Sequence, residues 1–329
     1  MTQFEGKRIL ITGGAGFIGS NLARRLVGLG ADLTLIDSLI PEYGGNLQNL
    51  CGIADRVRLN ISDVRDPYSM GELVKNQDYL FNLAGQTSHM DSMEKPLTDL
   101  SINAEAQISI LEACRITNPS IRIVFASTRQ LYGKPKYLPV DEKHPIEPVD
   151  INGINKWAGE WYHILYQRVY GIPCTVLRLT NTYGPGMRVK DARQTFVGIW
   201  IRSLIDGVSF KIFGDGEQKR DFNYVDDVVD AMLLAATVDS AVGKIYNLGS
   251  KEVVTLNQLA DLMVLACKGG QFERIPFPAQ RKAIDIGDYY SDFSLIMSEL
   301  AWNPKVSLAT GLQRTIDYYR KNSAHYWDV

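Results

Sequence analysis

Cysteine and histidine are scarce in this chain, four of each in 329 residues. Cys51, Cys114, Cys174 and Cys267 lie far apart and form no C-x-x-C pair. That argues against a disulfide framework or a zinc site and for reduced thiols, so no metal is expected. Long apolar runs are also missing, and no stretch approaches the roughly 18 residues a bilayer span needs. Neither sign of charge dominates. The net charge is −2 and basic residues form no block, so neither nucleic acid nor a membrane surface is an expected partner. The polar start, Thr2-Gln3-Phe4-Glu5, runs directly into a strand, so no signal peptide is expected and the expected location is cytoplasmic. What remains is ordinary: 45% apolar and 22% charged residues suit a globular fold with a sizeable core.

The first half alternates short β-branched runs with longer amphipathic ones. This pattern predicts βαβ units around a doubly wound parallel sheet, an α/β fold. Strands are expected at Arg8–Thr12, Leu33–Asp37, Arg56–Asn60, Tyr79–Leu83, Ile121–Ala126 and Cys174–Leu179. Helices are expected at Phe17–Leu29, Ser69–Lys75, Thr98–Ile116 and Asn155–Tyr170. Beyond Leu179 turn dipeptides cluster, as in Gly184-Pro185 and Gly214-Asp215-Gly216, and helical stretches such as Thr195–Asp206, Asp226–Ala236 and Leu256–Cys267 interrupt shorter strands. The division expected is a dinucleotide-binding domain over 1–179 and a smaller α/β substrate lobe over 180–329, with some segments returning to the first domain.

Gly13-Gly14-Ala15-Gly16-Phe17-Ile18-Gly19 follows the first strand and opens a helix. Glycines there permit a positive-φ turn, let backbone N–H groups approach a pyrophosphate and allow close helix–strand packing. The helix N-terminus then favours phosphate charge. A glycine-rich turn alone is weak evidence, because such turns are common. Here Asp37 closes the second strand 18 residues beyond Gly19, followed by Ser38. Its carboxylate can accept both ribose hydroxyls and would repel a 2′-phosphate, which favours NAD over NADP.

Further along, the motifs resemble the extended short-chain dehydrogenase/reductases, specifically the NAD-dependent nucleotide-sugar epimerase/dehydratase family, over nearly the whole length. Asp63-Val64 matches the family's adenine-contacting pair. Asn82-Leu83-Ala84-Gly85 matches the strand end beneath the cofactor, and Asn103 a helix asparagine that steadies the site. Leu177-Arg178-Leu179-Thr180-Asn181 resembles the segment that carries a substrate-side asparagine, here Asn181, with Leu179 beside the cofactor. Arg220-Asp221-Phe222-Asn223-Tyr224-Val225-Asp226-Asp227 resembles R-D-x-x-Y-V-D-D. The resemblance implies that Arg220 grips the diphosphate of a nucleotide sugar, and a guanidinium fork suits phosphate oxygens. Arg281 stands where a second such arginine often lies, although Lys282-Ala283-Ile284-Asp285 departs from the usual spelling. For both arginines the plainer reading is a surface ion pair.

The resemblance also exposes a gap. Family members use a Ser or Thr, a Tyr and a Lys four residues later, with the lysine lowering the phenol pKa. Thr128 and Lys156 occupy the outer positions, but Asn152 stands where the tyrosine belongs. An amide hydrogen-bonds and cannot act as a base near neutral pH. Asn152 is therefore an engineered change, a native feature with another proton acceptor, or the mark of a protein that only binds. Ile151, Gly153, Ile154 and Asn155 also depart from P-Y-x-x-S-K, which favours the native feature. Substitute acceptors are His89, Tyr132, Tyr183 and Lys156 itself. His89 follows the fourth strand and borders the expected sugar, though a partly exposed loop histidine is the plainer reading. Arg129-Gln130 stand where 4,6-dehydratases carry Asp-Glu, which argues against water elimination.

The reading that follows is a nucleotide-sugar 4-epimerase-like oxidoreductase. Thr128 and Asn152 would orient the hydroxyl, Lys156 the nicotinamide ribose, and His89, Asn181 and Arg220 the substrate. A net dehydrogenase or reductase, and a catalytically silent binding protein, are the alternatives. The family resemblance further implies a homodimer through the two long helices, with Trp157, Trp161, Tyr162 and Leu165 as its apolar patch.

Overall fold

β-branched and aromatic residues bounded by turn residues become strands, and the longer amphipathic stretches between them become helices. The computed structural model describes residues 3–327. In chain order the strands are β1 (Arg8–Thr12), β2 (Asp32–Asp37), β3 (Val57–Ile61), β4 (Tyr79–Asn82), β5 (Arg122–Thr128), β6 (Cys174–Leu179), β7 (Asn181–Tyr183), β8 (Phe210–Phe213), β9 (Lys219–Tyr224), β10 (Ile245–Asn247), β11 (Val253–Thr255) and β12 (Phe272–Ile275). Seven of them form one parallel sheet in the order β10-β6-β5-β4-β1-β2-β3. The winding direction reverses between β1 and β4, and ligands of such sheets sit at that reversal, beyond the strands' carboxyl ends.

The helices that matter here are α1 (Phe17–Gly28), α2 (Pro67–Leu73), α3 (His89–Glu94), α4 (Pro96–Leu100), α5 (Ala106–Thr117), α6 (Ile151–Tyr170), α7 (Phe196–Ile205) and α8 (Val225–Thr237). They cover both faces of the sheet, so Ile9, Leu10 and Ile11 of β1 are fully buried. Leu22 and Leu26 of α1 join Val228, Met232 and Ala235 of α8 against one face. Ile110 and Leu111 of α5 and Ile164 of α6 cover the other. Asp150 caps the start of α6 by accepting from the Gly153 amide at 2.7 Å, and Gly171 ends it in the left-handed region at φ 72°. Twenty residues of regular helix thus hold Lys156 against Ala126 of β5 and Asn152 against Gln86 in the loop after β4.

One element differs from expectation. The single helix expected over Thr98–Ile116 is α4, a π-helical turn over Ser101–Glu105 and then α5. Wide turns of this kind occur often at functional sites, and this one contains Asn103. Past residue 179 the chain re-enters the main sheet, where β10 pairs in parallel with β6 and α8 packs on the same core. The remaining lobe has its own core, built on Trp200, Phe210, Leu259 and Tyr319. It carries a three-stranded sheet, β11-β9-β7, and a two-stranded one, β12-β8. Among the described residues no helix is long and apolar enough to cross a membrane, and no group of His, Cys, Asp and Glu could hold a metal ion.

Candidate active site

The glycine turn after β1 is sterically obligatory. Gly13 has φ 68°, and a Cβ on Gly19 would lie 2.2 Å from the Gly13 carbonyl oxygen. Gly16 caps α1 without a side-chain acceptor, and no acidic residue stands in the first turn, so the helix's free N–H groups face an approaching anion uncontested. At the end of β2, Asp37 accepts from the amides of Ala15 at 3.0 Å and Leu39 at 2.9 Å. Burial nonetheless pushes its carboxyl pKa up. Around these groups lies an open groove.

Gly13, Gly16, Phe17, Ile18, Gly19, Asp37, Ser38, Asp63, Val64, Leu83, Ala84 and Gly85, all singled out from the sequence, line it. Asn103, Lys156 and Leu179 do not. Leu179 sits beside Thr128 in the sheet register and packs into the core. Asn103 donates to the Gln86 carbonyl at 2.9 Å, and its Oδ1 is buried with no partner. A Cβ on Gly85 would come within 3.0 Å of that oxygen and 3.5 Å of Lys156 Nζ, so Asn103 and Lys156 flank the groove floor. Asp63 is gripped by Arg65 at 2.9 and 2.5 Å, and this hydrogen-bonded pairing lowers its pKa. The sequence reading missed Tyr43, Gly45, Ser62, Thr87 and Gln194, which reach the groove from loops that no motif marks. Gly45 carried a signal in principle, since a Cβ there would meet Asp37 Oδ1 at 2.5 Å. The cradle of Cβ-intolerant glycines, the uncapped helix end and the carboxylate closing β2 fit a dinucleotide.

The catalytic corner is more unusual. Asn152 is buried, and its Nδ2 donates to the Gln86 carbonyl at 2.8 Å and to Asp99 Oδ2 at 3.0 Å. Asn155 donates to the other oxygen of Asp99 at 2.8 Å. Two asparagines one helical turn apart thus clamp a single buried carboxylate. Lys156 donates to the Ala126 carbonyl at 2.7 Å, and burial pushes its ammonium down to about 8 against opposing pulls from Asp99 and Glu160. Thr128, at the end of β5, accepts from the Gln130 amide at 3.2 Å.

Two of the expected substitute bases are engaged elsewhere. Tyr132 is fully buried, donates to Asn247 at 2.7 Å and accepts from Arg178 at 2.6 Å. Burial pushes its phenol up to about 12. Tyr183 is buried as well, donates to the Leu308 carbonyl at 3.3 Å and is also raised by burial. His89 is different. Its ring is about one-third exposed, with Nδ1 3.0 Å from the fully buried carboxylate of Asp150. That ring nitrogen is enclosed, and its geometry does not make a hydrogen bond to the oxygen. Burial alone would raise the Asp150 carboxyl, but His89, the Gly153 amide and Gln130 outweigh it and hold the pKa low.

Across the groove, β7 and β9 run in parallel and bring Asn181 opposite Phe222. Asn181 donates to the Asp221 carbonyl at 3.0 Å and accepts from Arg129 at 3.0 Å. Arg220 is buried, with Asp285 at 3.8 Å and otherwise neutral acceptors such as the Lys219 carbonyl at 2.9 Å. Arg281 is exposed, with its guanidinium 5.5 Å from the Phe213 ring centroid.

The family model of the NAD-dependent epimerase/dehydratase family matches residues 9–249. A putative UDP-glucose 4-epimerase of Methanocaldococcus jannaschii is 35% identical over 96% of this chain and 99% of its own length. A UDP-N-acetyl-alpha-D-glucosaminuronate decarboxylase of Bacillus cytotoxicus is 31% identical over 96% of this chain and 98% of its own. The crystal structure of UDP-glucose 4-epimerase from Thermotoga maritima with UDP-glucose superimposes with a TM-score of 0.86 at 31% identity, covering 96% of this chain and 99% of that one. With the fold, the glycine cradle and the ordered motifs all in place, the chain belongs to the NAD-dependent epimerase/dehydratase family.

Proposed function

We propose that this protein is a nucleotide-sugar epimerase in which His89, oriented by Asp150, replaces the missing tyrosine as proton acceptor. The observation that carries the reading is the His89–Asp150 pair: a buried, ionised carboxylate 3.0 Å from an accessible imidazole, two residues before Asn152. A carboxylate that fixes one ring nitrogen leaves the other free to take a proton, the same division of labour found in nucleophile–base–orienter sites. NAD, when bound, supplies the hydride acceptor and donor. Gly13, Gly16 and the start of α1 would hold its pyrophosphate, and Asp37 a ribose. Lys156 would face the nicotinamide ribose, Thr128 would bind the reacting hydroxyl, and Asn181 and Arg220 the diphosphate side of the sugar.

Asn152 takes a positioning role in this reading. Its amide is spent on Gln86 and Asp99, and its partner Asn155 is itself a departure from the family spelling. An isolated engineered change would not bring a second asparagine onto the same carboxylate, which supports a native Asn152. Relatives act on neutral and acidic sugars alike, so their names do not choose the sugar.

The test is to incubate the purified protein with UDP-, GDP-, CDP- and dTDP-sugars and identify products. Epimerised product with no net change in nicotinamide absorbance is expected. A net absorbance change would favour the dehydrogenase or reductase, and no turnover of any sugar the silent protein. We also infer a homodimer through α5 and α6. Ile108, Ile154, Trp161 and Leu165 there are exposed, whereas Trp157 and Tyr162 of the expected patch pack inward. Light scattering should give a dimer mass at micromolar concentration, and a monomer mass would refute it.

A further inference from the structure

Arg129 is the residue that the roles assigned so far leave without a task. It follows Thr128 directly, and its partly accessible side chain reaches across to β7, where it donates to Asn181 at 3.0 Å. The guanidinium lies 5.0 Å from the Tyr289 ring centroid. Its Nη1 is sealed from solvent and has no hydrogen-bond partner. Among the described residues no carboxylate comes within ion-pair distance of it. Asp221, whose charge acts on Arg129 through space, spends its two oxygens on the Thr180 hydroxyl at 2.6 Å and the Ser291 amide at 3.1 Å.

Arg220 is close enough that the two cations repel: burial lowers its pKa to about 10, and Arg129 is the next cause. Burial lowers Arg129 as well, against smaller opposing pulls from Tyr289, Asp221, Asp285 and Asp150. Two neighbouring, desolvated guanidiniums without a hydrogen-bonded carboxylate are costly unless a ligand brings negative charge to them. Because Arg129 directly follows Thr128 and holds Asn181, the assignment of the diphosphate to Arg220 leaves Arg129 for the part of the sugar near the reacting hydroxyl. A planar donor fork at that point matches a carboxylate.

We propose that the substrate is an acidic nucleotide sugar, a nucleoside diphosphate-hexuronate, whose carboxylate is recognised by Arg129. This rests on the nucleotide-sugar reading above and deepens it. The side chain acts as a specificity determinant, and the hydride and proton transfers are unchanged by it.

The experiment is a calorimetric titration of the NAD-saturated protein, wild type and Arg129→Gln. UDP, dTDP, GDP, CDP and ADP are titrated first, and the tightest selects the base. The glucose and glucuronate conjugates of that base follow. Wild type should bind the glucuronate conjugate about 10- to 100-fold more tightly than the glucose one, the range of a charge-assisted contact. Arg129→Gln should erase that preference while leaving the nucleoside diphosphate and the glucose conjugate nearly unchanged, and Arg129→Lys should keep part of it. Equal weakening of all three ligands would make Arg129 part of the diphosphate grip and overturn the proposal. So would a wild type with no acidic preference. Failure of every nucleoside diphosphate to bind would instead sink the nucleotide-sugar reading, and this inference with it.

Discussion

The two ends of the active-site crevice are built on different kinds of constraint. At the cofactor end the backbone decides: Gly13 needs its positive φ, and Gly19 leaves no room for a methyl group beside the Gly13 carbonyl. At the sugar end side-chain chemistry decides, and there Asn152 and Asn155 depart from the family's spelling and Arg129 from that of the 4,6-dehydratases. Backbone constraints tolerate little substitution and leave a clear mark in the sequence. Side-chain chemistry can be reassigned among neighbours that already share a pocket. On this account the scaffold has been kept while the proton acceptor has moved, and the predictions below strain one end, the other, or the network beneath them.

The largest effect belongs at the sugar end. His89→Gln should lower kcat by about 10³-fold, within the usual range for a general base, while the NAD titration stays at its wild-type value. Asp150→Asn should act in the same direction. A kcat within twofold of wild type for His89→Gln would return His89 to the status of a loop residue.

Stability should fail most at the buried network beneath both ends. Glu160 pairs with Arg178 at 2.5 Å and accepts from Ser127 at 2.8 Å, with both charged side chains almost fully buried. Glu160→Ala leaves an uncompensated guanidinium and should cost about 3–5 kcal/mol in denaturant unfolding. A loss below about 1 kcal/mol would show that the network is not structural.

At the cofactor end, Gly19→Ala should weaken NAD by about 100-fold or more in a fluorescence titration, because the new methyl group meets backbone. Asp37→Ala should narrow the preference for NAD over NADP by a smaller factor, about tenfold. Tighter binding of NADP than NAD by wild type would contradict the reading of Asp37.

The smallest effect is on pH dependence. Burial lowers the Lys156 pKa to about 8, so its charge is present below that pH and lost as pH rises through it. If the ammonium serves to hold the ribose, kcat/KM should fall above about pH 8, and Lys156→Met should lack that limb. A rate that climbs through the same range would make Lys156 the proton acceptor instead of His89.

The sequence revealed the cofactor end well and the sugar end poorly, for physical reasons. Periodicity marked β1, α1 and β2, the glycine turn and Asp37 pointed to one side of the groove, and the family resemblance supplied Asp63, Val64 and Leu83–Gly85 on the other. The π-turn around Asn103 was illegible, because its residues read as one continuous helix. Tyr43, Gly45 and Gln194 come from loops whose shape no pattern encodes. Asn152 was noticed as a departure, but its shared grip on Asp99 with Asn155 depends on where α4 meets α6. The separation of Tyr132 and Tyr183 from His89 as bases likewise rests on burial and hydrogen-bond partners. Arg129 entered first as the absence of an acid, and only its unpartnered Nη1 gives it a positive role.

The relocated base is tested most directly by rapid mixing of the NAD-loaded protein with its nucleotide sugar, following transient nicotinamide reduction in wild type and His89→Gln. A reduction transient in wild type that is lost in His89→Gln, with cofactor and nucleotide still binding normally, is the result this account predicts. An undiminished transient in the variant would contradict it.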